Sequence, residues 1–384
     1  MLKRFWFQIH WLLGISAGLI LALVGATGGL YAFEEEILRL LNPEVTQVHA
    51  GPGPRLEPAE LLAALKHNRP YVSSLNLSGS ATDAARIGFM LPIASSDKKK
   101  FELQYVNPYT AELLGKPAGE DFFRFVLKLH RNLVLDEAGQ AITGASALVL
   151  IFMCLSGLYL RWPKGKAWNR HTWRRWLILD LRRQGRSLLA ELHAVCATWL
   201  LLMYLLAALT GLYWSYGWYH DWINSLAMPS AQTKQVERGA AGKKRDAPAS
   251  DAADNRETDL HAVWQAFQSE VASYNKLIML LPSRPGQAVQ VLYVDDHSPH
   301  RYANNKLMLD AHSGAILKRE PYADKAAGSK FLASIYALHS GSYWGSAGML
   351  LMMLASLALP LFAVTGWMMY LARRKNRAAG TQPV

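Results

Sequence analysis

Thr27-Gly28-Gly29-Leu30-Tyr31 returns as Ser156-Gly157-Leu158-Tyr159, as Thr210-Gly211-Leu212-Tyr213, and more loosely as Thr365-Gly366-Trp367 with Tyr370. Each copy lies at or near the end of a long apolar run, residues 11–33, 141–160, 188–214 and 344–371. Each run reaches the roughly 20 residues that an α-helix needs to cross a bilayer. The pattern predicts an α-helical membrane protein with four transmembrane helices.

The histidines repeat with the glycines. His10 stands 18 residues before Gly28 and His193 stands 18 before Gly211; His130 stands 27 before Gly157 and His339 stands 27 before Gly366. Each half, residues 1–165 and 186–375, therefore reads as an outward span, an external domain, a histidine-bearing helix and an inward span. Such a parallel duplication predicts two halves related by a pseudo-two-fold axis along the membrane normal.

Composition agrees. The chain has 384 residues, 51% hydrophobic and 18% charged, which argues against a wholly soluble enzyme. Its net charge of +12 sits beside the apolar runs: residues 161–187 carry nine Lys and Arg against one acid, whereas residues 34–139 carry 12 bases and 14 acids. The excess is read as membrane topology, with no nucleic-acid partner. The positive-inside rule then places both termini and the middle loop in the cytoplasm and the two long loops outside. The first run is read as an uncleaved anchor. Cys154 and Cys196 are the only cysteines, each isolated in an apolar run, so a disulfide framework and a thioether-bound haem are both absent.

The domain reading is residues 1–34, first span; 35–125, first external α+β domain; 126–165, histidine-bearing interfacial helix and second span; and 166–187, basic loop. It continues with 188–217, third span; 218–325, second external domain with a flexible polar insertion at 230–259; 326–375, second interfacial helix and fourth span; and 376–384, tail. In the first external segment a helix is expected at 58–66 and strands at 73–77, 85–91 and 100–106. The second repeats the order with a helix at 259–273 and strands at 277–281, 288–295 and 305–309.

The four histidines pair under this symmetry. His10 and His193 fall at the cytoplasmic ends of the outward spans, and His130 and His339 at the external ends of the inward ones. Each pair can offer an imidazole to either face of one haem iron, closing both axial sites to oxygen and suiting the group to electron transfer. The cofactor expectation is two non-covalent haems, His10/His193 and His130/His339. Gly14 and Gly18 give the first span a small face for a flat porphyrin or for another helix. Arg4 and Arg131 are candidate partners for the propionates. His220 is an alternative external ligand or substrate contact, and Glu35, within Glu34-Glu35-Glu36, is a candidate for attracting a released cation. His297 and His300 beside Asp295 and Asp296 read as the end of a strand more readily than as a metal cluster.

With Phe7-Gln8-Ile9-His10-Trp11, Leu129-His130-Arg131 and Ala337-Leu338-His339-Ser340-Gly341, the chain resembles the PepSY-associated transmembrane family over nearly its whole length. Its four-span form is similar to FoxB-type ferrisiderophore reductases of the bacterial inner membrane. The resemblance implies PepSY-like external domains in the periplasm, b-type haem, and reduction of a ferric siderophore, an iron(III) chelate, to release iron(II). No G-x-G-x-x-G follows a strand, so the electron must come from a separate donor, a cytoplasmic reductase or a quinol. Two other readings stay open: a siderophore or small-molecule permease, and a non-redox regulatory membrane protein. No hydrolase motif occurs.

Overall fold

The computed structural model describes residues 1–51, 53–66, 72–93, 96–163, 170–228, 258–282 and 287–378. In chain order the helices are α1 (Leu2–Tyr31), α2 (Glu34–Leu41), α3 (Pro43–Thr46), α4 (Pro58–Lys66), α5 (Glu120–Asn132) and α6 (Asp136–Arg161). They continue as α7 (Arg170–Leu177), α8 (Gly185–Ser215), α9 (Gly217–Ala227), α10 (Leu260–Glu270), α11 (Ala327–Ser340) and α12 (Gly345–Ala378). The strands are β1 (Val72–Ser78), β2 (Ala85–Ile93), β3 (Ser96–Val106), β4 (Leu113–Gly115), β5 (Lys276–Leu280), β6 (Val289–Val294), β7 (Asn305–Leu309) and β8 (Ile316–Glu320). Two compact units result, one from residues 1–34, 121–223 and 335–384 and one from residues 35–120 and 224–334.

The first unit is a helical bundle. Four of its segments, Leu2–Tyr31, Asp136–Arg161, Gly185–Ser215 and Ser342–Lys375, are long and apolar enough to cross a membrane. Their outward side chains are apolar too: Leu19 is 75% exposed and Leu202 70%, as expected where lipid is the solvent. The first three of these helices start earlier than the apolar runs because the polar flanks continue the same hydrogen-bond ladder. α1 packs on α6 and α12, and α8 packs on the same two, so α1 and α8 face each other across a four-sided ring.

Close approach in this ring depends on missing side chains. A Cβ on Gly25 would stand 2.5 Å from the Ser356 carbonyl oxygen, and one on Gly29 2.6 Å from Leu357. Ser356 is four residues before Pro360, a proline inside α12. With no N–H, proline leaves that carbonyl without its helical donor, and α1 brings Gly25 against it. α6 meets the end of α8 similarly: a Cβ on Gly144 would lie 2.7 Å from the Tyr216 ring.

Each histidine-bearing helix turns sharply into a span. Between α5 and α6 the chain takes left-handed φ at Leu133, Val134 and Asp136, 52°, 60° and 49°; between α11 and α12 the left-handed positions are Gly341 and Gly345, 79° and 65°. Gly139 and Gly348, nine residues after His130 and His339, press on the preceding turns.

The second unit is built on one antiparallel sheet of eight strands, in the order β4-β3-β2-β1-β5-β6-β7-β8. Each four-strand meander runs outward from its own first strand, and the meanders join where Leu75 pairs with Met279 and Leu77 with Leu277. What the sequence presents as two external domains shares this sheet and one core, in which Leu61 of α4, Leu75, Phe89, Val263 and Phe267 of α10, Leu277 and Leu309 are buried together. The physical reason is edge pairing: a lone meander would leave the β1 or β5 backbone groups unmatched. Two strands escape the sequence reading. β4 is three residues long, and β8, Ile-Leu-Lys-Arg-Glu, is mostly charged. The expected helix and strand positions otherwise match, and residues 230–257 of the polar insertion lie outside the described residues.

Candidate functional site

The bundle brings His10 and His193 to one cavity of about 780 Å³, which all four spans line. That volume is in the range of cofactor sites, about 300–1,000 Å³. Gly14, Gly18 and Gly157 keep its wall thin, Leu21, Leu201 and Phe362 make it apolar, and Arg161, Arg186, Arg373 and Arg374 also line it. The His193 ring stands edge-on to Phe362, centroids 5.0 Å apart, and Phe362 in turn meets Tyr204 at 5.8 Å.

His130 on α5 and His339 on α11 form the second pair. Their ring centroids are 6.2 Å apart with planes at 60°. Trp214 packs edge-on against His339, centroids 5.4 Å apart. Burial pushes both imidazoles below the ordinary histidine range, His339 to about 4, so at neutral pH both are uncharged and can offer a lone pair to a metal. Seventeen residues of α1 separate His10 from Thr27, the neighbour of His130, so the two pairs lie about 25 Å apart along the helix.

Every one of the four imidazoles has its Nδ1 engaged. His10 Nδ1 lies 2.8 Å from Ser156 Oγ and His193 Nδ1 2.9 Å from Thr365 Oγ1. His339 Nδ1 lies 2.9 Å from Thr210 Oγ1, while His130 Nδ1 lies 2.9 Å from the Val24 carbonyl and 3.4 Å from Thr27 Oγ1. Ser156, Thr365, Thr210 and Thr27 are the residues that open the repeated Ser/Thr-Gly stretches. Their glycines make room for the rings: a Cβ would stand 2.9 Å from His130 Cε1 at Gly28, 3.4 Å from His10 Cε1 at Gly157 and 3.4 Å from His339 Cε1 at Gly211. At Gly366 a Cβ would meet open space.

The residues fit a haem better than a multidentate metal ion. Among the described residues no group of three or more His, Cys, Asp or Glu side chains is placed to hold a metal, whereas haem iron asks the protein for only two axial donors. Nδ1 engaged and Nε2 without a hydrogen-bond partner among the described residues is the usual arrangement of a ligating histidine.

The other expected residues are placed as follows. Gly14 and Gly18 line the cavity, and Arg4 is exposed and outside its lining. Arg131 is exposed, its carbonyl accepting the Thr143 hydroxyl at 2.9 Å. His220 pairs with Asp221 at 3.0 Å and lies against Tyr213. Glu35 and Glu36 are held by Arg301, at 2.5 and 3.5 Å. His300 is buried against Ser334 and Tyr322, and His297 is tied to Asp295 through its backbone N–H. The sequence reading missed the four cavity arginines and the four hydroxyls, although the hydroxyls were visible in the repeat itself.

A four-span membrane protein with two half-buried histidine pairs and an eight-stranded antiparallel sheet is the class that fold and site define. Residues 7–373 match the PepSY-associated TM region, and the chain belongs to the PepSY-associated transmembrane family. No curated protein matches it.

Proposed function

We propose that the chain is a transmembrane electron-transfer protein of the bacterial inner membrane, an oxidoreductase of the FoxB type that reduces ferric siderophores in the periplasm. Its two non-covalent b-type haems would be held by His10 with His193 and by His130 with His339. The observation that carries the reading is the placement of four neutral-ligand side chains in two half-buried pairs, each with Nδ1 engaged, at opposite ends of one apolar bundle. The equivalent His–hydroxyl contacts and the two outward-running meanders support two halves related by a pseudo-two-fold axis.

When bound, the haems would supply one-electron carriage between the two ends of the bundle. The chain's own contribution is to hold the axial donors, to keep water away with Leu21, Leu201, Phe362 and Trp214, and to offer Arg161, Arg186, Arg373 and Arg374 to anionic groups beside His10 and His193. The basic segments on that side support a cytoplasmic placement of both termini, with PepSY-like domains in the periplasm. A donor on the cytoplasmic or membrane side, a reductase or a quinol, gives one electron, and the chelated iron(III) outside takes it. The resulting iron(II) is less charged and binds oxygen-rich chelators less well, so reduction releases the metal without cleaving the ligand.

The test is the absorption spectrum of the detergent-purified chain. A low-spin b-type signature with two haems per chain is expected, His10→Ala and His339→Ala each removing one. A colourless protein after expression with ample porphyrin overturns the reading in favour of a regulatory module. Chelate uptake that survives loss of both pairs overturns it in favour of a permease.

A further inference from the structure

The four Ser/Thr-Gly stretches do not treat their histidines alike. A backbone carbonyl can only accept, so His130, 2.9 Å from the Val24 carbonyl, must carry its proton on Nδ1. His339 Nδ1 lies instead 2.9 Å from Thr210 Oγ1, whose hydroxyl donates to the Leu206 carbonyl at 2.6 Å. Val24 stands three residues before Thr27, so main chain backs His130 while hydroxyls face the other three rings.

For His10 and His193 the partners are side chains. His10 Nδ1 faces Ser156 Oγ and His193 Nδ1 faces Thr365 Oγ1. The Thr365 hydroxyl donates to the Leu361 carbonyl at 2.8 Å and the Ser156 hydroxyl to that of Met153 at 3.3 Å. With the hydroxyl proton committed to a carbonyl, the oxygen is left to accept Nδ1–H. The result is a relay, imidazole N–H to hydroxyl to helix carbonyl, that leaves Nε2 unprotonated and aims it away from the relay, into the cavity that both rings line.

We infer that Ser156 and Thr365 are positioning residues for the His10/His193 site: their hydroxyls fix the ring orientation and the Nδ1–H tautomer, and they set the electron-donating strength of the two Nε2 atoms. At His130 the same task falls to the Val24 carbonyl, with Thr27 Oγ1 farther off at 3.4 Å, so loss of the Thr27 hydroxyl has less effect than loss of Ser156 or Thr365. The inference rests on the haem assignment proposed above. An imidazole whose N–H finds a good acceptor donates more strongly to a metal and favours its oxidised state. Removing that acceptor shifts the balance toward the reduced state.

The experiment is a potentiometric titration of the purified full-length protein, followed in the haem absorption bands, for the parent and for Ser156→Ala, Thr365→Val, Thr27→Val and the hydroxyl-preserving Ser156→Thr and Thr365→Ser. Ser156→Ala and Thr365→Val are expected to raise one of the two midpoint potentials by a factor of about ten in the reduced-to-oxidised ratio, ~59 mV for one electron. The other midpoint stays in place, Thr27→Val leaves both unchanged, and the hydroxyl-preserving variants restore the parent value. Loss of one haem in Thr365→Val, regained in Thr365→Ser, supports the same role. Unmoved potentials in a two-haem Thr365→Val protein, or an equal shift from Thr27→Val, overturn the inference while leaving the haem assignment intact. A parent with no haem overturns the assignment itself.

Discussion

Gly139 lies so close to Asn132 that a Cβ on it would stand 1.6 Å from the Asn132 carbonyl oxygen. The contact closes the hairpin from α5 into α6, and Gly348 closes the other one, where a Cβ would stand 2.2 Å from the Gly341 carbonyl. Backbone cannot retreat as a side-chain tip can. Gly139→Ala and Gly348→Ala should each cost about 1–3 kcal/mol or more and lower the melting temperature of the purified protein, whereas Gly366→Ala, whose Cβ meets open space, should leave it unchanged.

Gly28 and Gly211 allow a graded test of ring seating. A new methyl at Gly28 comes within 2.9 Å of His130 Cε1, tighter than real contacts allow, but at Gly211 it stays 3.4 Å from His339 Cε1. Under the proposed function Gly28→Ala disturbs the absorption of the His130/His339 haem strongly and Gly211→Ala weakly. Equal spectra for the two variants would argue against rings seated on these glycines.

The shared core of the sheet unit predicts coupled unfolding. Leu75 and Leu277 are fully buried in it. Leu75→Ala and Leu277→Ala should each cost about 2–5 kcal/mol. Hydrogen exchange should then rise in β2 and β6 together for either variant, because β1 and β5 are neighbours in one sheet. Loss of protection confined to the mutated meander would show two separate folding units.

Acid should loosen one turn of that sheet. Asp310 accepts the Ser313 backbone N–H and hydroxyl, both at 2.8 Å, and the His312 N–H at 3.1 Å, which holds its carboxyl below the usual aspartate range. A depressed folded pKa adds stability above the ordinary value, about 3.9, and loses it as pH falls through the depressed one. The stability difference between the parent and Asp310→Ala, from denaturant titrations, should therefore be largest near neutrality and shrink below about pH 4.

The spans, the histidine pairing and the order of most strands were legible because each rests on a period that a single residue type announces: apolar runs, His–Gly intervals, alternation. The seam between β1 and β5 was not, since Leu75 and Leu277 read as core residues whether or not their strands meet. The cavity arginines were missed for a related reason. Arg161, Arg186, Arg373 and Arg374 look like topology signals in a sequence, and only helix packing gathers them beside His10 and His193. Arg4 and Arg131, chosen for closeness along the chain, are exposed instead. Ser156 and Thr365 stand out in the sequence only as members of a repeat, since a hydroxyl on an apolar helix bonds its own backbone by default, and nothing local marks the ring beyond it.

Pro360 leaves one carbonyl of α12 bare, and Gly25 is the residue of α1 set against it. Neither helix can slip by a turn without trading that fit for a clash or a naked oxygen in oil. The first and last spans are thereby keyed together like a tooth in a notch, their register held by a defect in a helix.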